Sequence, residues 1–256
     1  MASAALMEQG DCLQALGQLE AAAAAYEDAI ALDEKRDALR DVAAGKNQLA
    51  TTRMLQKRYA DALQGYQQAL ALFQQLDEPG AVATIWHQIG MTHSMADDFA
   101  QAEQAYRQSL SINSQQGNKT GEASSLNELG TLYDDWNRPE QAVSFYRQAA
   151  GVYVALGDLR YEGFARNNLA DTLIKLQRYD EARPELLRAI ECKQAFGHAA
   201  QPWQTWQIQH KLEEASGNQQ AAREARQQAL AAFLAYRRDG GENHEGGGRL
   251  ALAVGQ

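Results

Sequence analysis

Few residues of this 256-residue chain stand in the arrangements that covalent chemistry requires. The run from Gly117 to Gly121, Gly-Asn-Lys-Thr-Gly, carries the residue types of a phosphate-cradling loop. Such a loop needs Gly-Lys-Ser/Thr in direct succession, an earlier Gly where Ile112 or Asn113 stands, and a strand before it. His87 and His93 are six apart, so a helix turns them to different faces. No His-Glu-x-x-His or Cys-x-x-Cys spacing occurs, and no metal site is expected. The neighbouring carboxylates Asp97-Asp98 and Asp134-Asp135 diverge on a helix and fall at expected turns, where they read as turn and cap residues. The chain is therefore not expected to be an enzyme, and no catalytic residue or cofactor is proposed.

Recognition chemistry is better represented. Asn47, His87, Asn127 and Asn167 follow one another at intervals of 40, continued by Met7 and Gln207 at the ends. Asn and His side chains both donate and accept hydrogen bonds, and an extended peptide offers alternating N–H and C=O groups. A row of this kind suits a backbone clamp. It suits equally well ordinary amides on a helix surface, or hydrogen bonds between neighbouring repeats, and the spacing alone does not choose.

The elements that carry this row repeat with the same period. Gly10, Ala50, Gly90, Gly130, Ala170 and, less well, His210 are 40 apart, as are Ala22, Ala62, Ala102, Ala142, Ala182 and Ala222. Four residues beyond the second set stand Tyr26, Tyr66, Tyr106 and Tyr146, then Leu186 and Arg226. Small residues let two helices approach, and a tyrosine then fills the gap to the next hairpin, so these tyrosines are expected in the core. A hairpin alone cannot cover its apolar stripe, whereas a stack can. The spacing predicts helices of about 16 residues, with the length beyond a shorter repeat lying in the second helix of each pair. Gly117, Gly157 and Gly197 read as C-terminal caps. Pro79 and Pro202 are placed in inter-repeat loops, and Ser3 is expected as an N-cap.

The best-formed unit, Leu126, Leu129, Gly130, Tyr133, then Pro139, Ala142, Tyr146 and Ala149, resembles the tetratricopeptide repeat, except that Leu126 replaces the opening Trp and Val154 the closing Pro. The runs Asn167 to Leu173 (NNLADTL) and Tyr179 to Ile190 (YDEARPELLRAI) resemble the 40-residue repeats of kinesin light chains. The resemblance implies an all-α, right-handed α-solenoid of about six tandem helix-turn-helix repeats. The units are expected at about 3–42, 43–82, 83–122, 123–162, 163–202 and 203–238, forming a single array over 1–238, followed by a Gly-rich tail or linker at 239–256. It further implies that the first helix of each pair lines a concave groove. The ligand-binding positions would then be Asn47, His87, Asn127 and Asn167, with Thr51, Thr131, Asp171, Met54 and Asp134 as walls. An Asn ladder serves this purpose in 40-residue repeats that bind extended peptides. Thr51, Met91, Thr131 and Asp171 depart from the carboxylate-clamp pattern that holds chaperone tails. Arg53, Arg166 and Lys175 are expected to pair with nearby acids.

Net charge is -9, and Lys and Arg are interspersed with acids, which disfavours nucleic acid as a partner. No apolar run approaches the roughly 20 residues of a membrane helix, and the N-terminus does not read as a signal peptide. Cys12 and Cys192, in opposite halves, are expected as free buried thiols in a cytoplasmic protein. Six of the 20 glycines fall within 239–256, a composition that suits a domain cut from a longer protein. The function expected is a protein-interaction scaffold that binds an extended peptide segment, as sensor or adaptor of a larger signalling protein. The alternative is a self-associating or autoinhibitory module acting through its terminal repeat and tail. A partner protein or peptide is implied, with a homo-oligomer or an effector domain of the same parent chain left open.

Overall fold

A computed structural model describes residues 2–194 and 202–238. Among them run twelve helices and no strand: α1 (Ala2–Ala15), α2 (Leu19–Glu34), α3 (Leu39–Leu55), α4 (Tyr59–Gln75), α5 (Pro79–Met95), α6 (Phe99–Gln115), α7 (Lys119–Asp135), α8 (Pro139–Leu156), α9 (Leu159–Lys175), α10 (Tyr179–Gln194), α11 (Pro202–Ala215) and α12 (Gln219–Arg238). They form six consecutive helix pairs. The pairs begin at residues 39, 79, 119 and 159, four residues ahead of the expected unit bounds, with the period of 40 unchanged. The chain divides into two compact units, Met1–Ser125 and Leu126–Gln256, described separately below.

A single turn design joins these helices. The backbone takes a left-handed conformation at Gly17, Asp37, Lys57, Asp77, Asp97, Gly117, Asn137, Gly157, Gln177 and Gly217, every 20 residues where described. At each, the N–H of the next residue returns to a carbonyl five residues back, as in Asn118 N to Asn113 O at 3.0 Å or less (2.9 Å) and Arg58 N to Arg53 O (2.9 Å), which closes the helix and starts the next. Gly117 and Gly157 are the caps that the sequence indicates, whereas Gly197 lies outside the described residues. First and second helices prove equally long, 17 residues in α3, α5, α7 and α9 against 16 to 18 in α4, α6, α8 and α10, so the extra length is not confined to the second helix. Pro79, Pro139 and Pro202 open α5, α8 and α11 and are not loop residues, because a first-turn proline loses no hydrogen bond. Ser3 is likewise no cap: it is buried within α1 and accepts from Arg36 Nη1 at 3.2 Å.

The small residues and tyrosines pack as their spacing predicts. Tyr26, Tyr66, Tyr106 and Tyr146 are at most 2% exposed. A Cβ added to Gly10, Gly90 or Gly130 would lie 2.5 to 2.7 Å from the ring of Tyr26, Tyr106 or Tyr146, so each glycine is the floor on which a tyrosine rests. At the one tyrosine whose partner is Ala50, the preceding residue is Gly65, and a Cβ there would come within 2.9 Å of the Ala50 Cβ. The methyl group thus changes helix and the total volume is kept. Both cysteines are free, but Cys12 is exposed and only Cys192 is buried. The tail 239–256 lies outside the described residues.

Candidate functional site

Within the first unit, first helices α3 and α5 lie side by side, as do α9 and α11 in the second. The expected recognition residues lie on these helices and on α7. Each is placed by its distance from the small residue of its first helix: three before it come Asn47, His87, Asn127 and Asn167, and one after it Thr51, Thr131 and Asp171.

Asn47 is half-buried on α3, and its Oδ1 is closed to solvent and has no hydrogen-bond partner among the described residues. Thr51 is engaged in the packing: its hydroxyl donates to the Asn47 carbonyl (3.0 Å) and accepts from Tyr66 Oη (3.0 Å) and Gln88 Nε2 (3.3 Å). Met54 is not a groove wall. It is 4% exposed, belongs to the core, and its Sδ lies 4.0 Å from Tyr66 Oη, because one further turn of α3 carries position 54 beneath that ring. His87 on α5 meets the Tyr106 ring edge-on at 5.6 Å, and burial lowers its pKa. The amides that bridge successive first helices are instead those one residue later. Gln48 Nε2 reaches Asp11 Oδ1 (3.1 Å) and Gln88 Nε2 reaches Thr51.

In the second unit Asn127 repeats the pattern of Asn47: it is half-buried and its Oδ1 lacks a partner among the described residues, while its amide supports the Glu128 carboxylate, whose pKa burial raises. Thr131 donates to the Asn127 carbonyl (3.3 Å) and accepts from Tyr146 Oη (3.2 Å). Asn167 differs. It is 4% exposed and its Nδ2 donates to Thr205 Oγ1 on α11 (2.9 Å), a bond between neighbouring repeats, while its Oδ1, like those of Asn47 and Asn127, has no partner among the described residues. Asp134 and Asp171 enter an alternating charge ladder. Lys175 bonds Asp134 (2.6 Å) and approaches Asp171 (3.7 Å), and Lys211 bonds the other oxygen of Asp171 (3.1 Å). Nearby acids hold the Lys175 ammonium above its usual pKa, against the opposing effect of burial.

The remaining cations pair as expected: Arg53 with Glu27 (2.7 Å) and Glu20 (3.7 Å), and Arg166 with Glu162 (2.8 Å) and Glu185. Asn118, within the loop that superficially suggested phosphate binding, caps α7 by accepting from Gly121 N at 3.1 Å. The described residues bring no three His, Cys, Asp or Glu side chains together as metal ligands, and none of their helices is long and apolar enough to cross a membrane. Sequence spacing did not single out Gln48 and Gln88, since glutamine on a helix face has no distinctive signature.

Six consecutive helix pairs, four of them with a buried tyrosine against a small residue of the first helix, define a helical-repeat scaffold. Profiles described as tetratricopeptide repeat match residues 3–36, 41–115 together with 81–153, and 165–200, and the chain belongs to the tetratricopeptide repeat family. Among curated proteins there is no significant match. Solved structures share the fold at low identity. BtubC (BKLC) from P. vanneervenii is 18% identical with a TM-score of 0.75, over 86% of this chain and 92% of that one. A putative kinesin light chain with nearly identical repeats from Podosopora anserina is 16% identical with a TM-score of 0.63, over 75% and 96%. The STAND signal-transduction ATPase with a tetratricopeptide repeat sensor from Pyrococcus horikoshii is 16% identical with a TM-score of 0.77, over 93% of this chain and 37% of that one.

Proposed function

We propose that the chain is a protein-interaction scaffold whose first helices hold an extended segment of a partner, as the sensor or adaptor part of a larger cytoplasmic signalling protein. A buried Oδ1 without a hydrogen-bond partner among the described residues recurs at this position in Asn47, Asn127 and Asn167, and the observation that carries this reading is its occurrence at Asn47 and Asn127, which are less deeply buried than Asn167. A buried acceptor without a donor costs about 1–3 kcal/mol, a penalty that a peptide N–H would remove. Both residues are half-buried, and the terminal torsion of a carboxamide is soft, so a small rotation presents the oxygen to a ligand. Thr51 and Thr131 support the Asn backbone from below in this reading, and Asn167 fastens neighbouring repeats. The charge ladder of the second unit is internally neutralised, so it selects against unpaired charge on a partner more than it attracts one.

The test uses unstructured peptides selected from a displayed library on the intact chain. Backbone N-methylation of a selected peptide, and the double substitution Asn47→Ala with Asn127→Ala, are both expected to weaken binding at least tenfold while thermal unfolding stays within a degree or two. Asn167→Ala is expected to lower the melting temperature instead. Binding indifferent to N-methylation and to the double substitution would remove the backbone-clamp assignment.

A further inference from the structure

The junction of α5, α6 and α7 in the first unit is packed differently from the junction one repeat earlier. Where α5, α6 and the start of α7 meet, a cavity of about 210 Å³ is lined by His87 and by Thr84, Ser109, Asn113, Ser124 and Ser125, with Ala83, Asn118 and Gly121 completing the wall. Ser109, Asn113 and Ser125 form its buried floor, and Thr84 and Asn118 are exposed at its rim. One repeat earlier, the positions of Ser109, Asn113, Gly121 and Ser125 hold Ala69, Phe73, Ala81 and Ile85, which fill the corresponding space with hydrocarbon. Exchanging a phenyl ring and a sec-butyl group for a carboxamide and a hydroxymethyl leaves the cavity, and it is far larger than a single water requires.

The floor is fixed by its own hydrogen bonds. Asn113 Nδ2 donates to Ser109 Oγ (3.3 Å) and Asn113 Oδ1 accepts from Asn118 Nδ2 (2.9 Å). Ser125 donates to the Gly121 carbonyl (2.9 Å), and Ser109 and Ser125 share a bond of 3.2 Å. Gly121 is required, because a Cβ there would collide with the Asn113 carboxamide. A fully paired polar floor of this kind is rigid, and it leaves an open polar pocket where the earlier junction is filled with hydrocarbon. The walls then offer groups of both kinds. Thr84 gives its hydrogen to the Gly80 carbonyl (3.0 Å) and keeps its lone pairs, Ser124 can donate or accept, and a neutral imidazole presents one nitrogen of each type. None of the lining residues carries a fixed charge, so an ion would find no counter-charge on these walls.

We propose that this cavity is a binding pocket for an uncharged group that both donates and accepts hydrogen bonds, namely the carboxamide of an Asn or Gln side chain carried by the extended segment that the first helices hold. The source of the group rests on the scaffold reading above, while the pocket does not. Acetamide titrated into the labelled chain is the direct probe. Saturable NMR shifts are expected at the His87 ring, Ser124 and Asn118, and none with sodium acetate or methylammonium chloride at the same concentration. The quadruple variant Ser109→Ala, Asn113→Phe, Gly121→Ala and Ser125→Ile, which copies the earlier junction, should abolish the shifts. Should that variant fail to fold, Ser124→Val provides the same comparison, with acetamide binding about fivefold weaker for one lost hydrogen bond. Absence of a saturable acetamide shift, or equal response to acetate, overturns the pocket. In a second arm, Gln→Glu at the preferred carboxamide position of a selected peptide should weaken binding to the native chain about tenfold and leave binding to the filled variant unchanged. Acetamide binding without any such preference overturns the peptide source and reassigns the pocket to a free amide. Acetamide binding that survives Asn47→Ala with Asn127→Ala, when peptide capture does not, separates the pocket from the groove.

Discussion

At the scale of single residues, the molecule is governed by who shares space with whom. The exchange of a methyl group between Ala50 and Gly65 keeps the tyrosine contact intact, and it shows why the repeat tolerates Ala or Gly in the first helix while the facing residue is adjusted. The least favourable residue is Lys193, fully buried, with its Nζ 4.6 Å over the Phe164 ring and no hydrogen-bond partner among the described residues. Desolvation lowers its pKa from 10.5 to about 8. Between those values the unfolded chain binds a proton that the folded chain does not, so stability rises with pH from 8 towards 10.5. Below pH 8 the full penalty remains, of the order of 3 kcal/mol. Cys192 acts in the opposite sense. Burial pushes its thiol up to about 11, so folding stability declines once an unfolded thiol ionises above pH 9. Urea unfolding of the wild type is therefore expected to show increasing stability from pH 8 to 9. Lys193→Met should flatten that slope and stabilise the chain by about 1–3 kcal/mol at pH 7, and a slope unchanged in the variant would exclude the assignment.

At the scale of elements, the recurrent device is the three-residue turn with a left-handed residue at its centre. Asp, Asn and Gly accept that conformation readily, which accounts for eight of the ten described sites, but Lys57 and Gln177 also occupy it at φ 61° and 59°. Both lie at the turn inside a hairpin. Lys57→Gly and Gln177→Gly are each expected to stabilise the protein by about 1 kcal/mol, read as a higher urea midpoint with the same denaturant slope. A decrease would mean that the side chain contributes more than the strain it bears. The sequence marks Gly117 and Gly157 as caps because glycine is the recognisable residue there. The equivalent turns at Asp37, Lys57 and Gln177 were not legible, since the conformation is imposed by two rigid helices that must be joined in three residues and not by the residue's own preference.

At the scale of the whole chain, the two compact units each carry their own version of the first-helix surface. The first carries Asn47 and Thr51, and the second holds the ladder Asp134, Lys175, Asp171 and Lys211. The scaffold reading predicts a monomer in light scattering at micromolar concentration. On α12, however, Leu230 and Leu234 are 41% and 52% exposed one helical turn apart, and self-association through this helix would give a larger mass that falls when both are replaced by Glu or when residues 239–256 are removed. The sequence by itself determined the all-α repeat, its period of 40, the tyrosine core and the pairing of Arg53, Arg166 and Lys175 with acids, because each follows from periodicity or from charge balance along a helix. Only the tertiary structure decided which polar side chains remain uncommitted. Met54 and Thr51 turned inward to serve Tyr66, Asn167 bonded Thr205, and a cavity opened beside His87, since each outcome depends on side chains 12 to 38 residues apart competing for the same hydrogen bonds and the same volume.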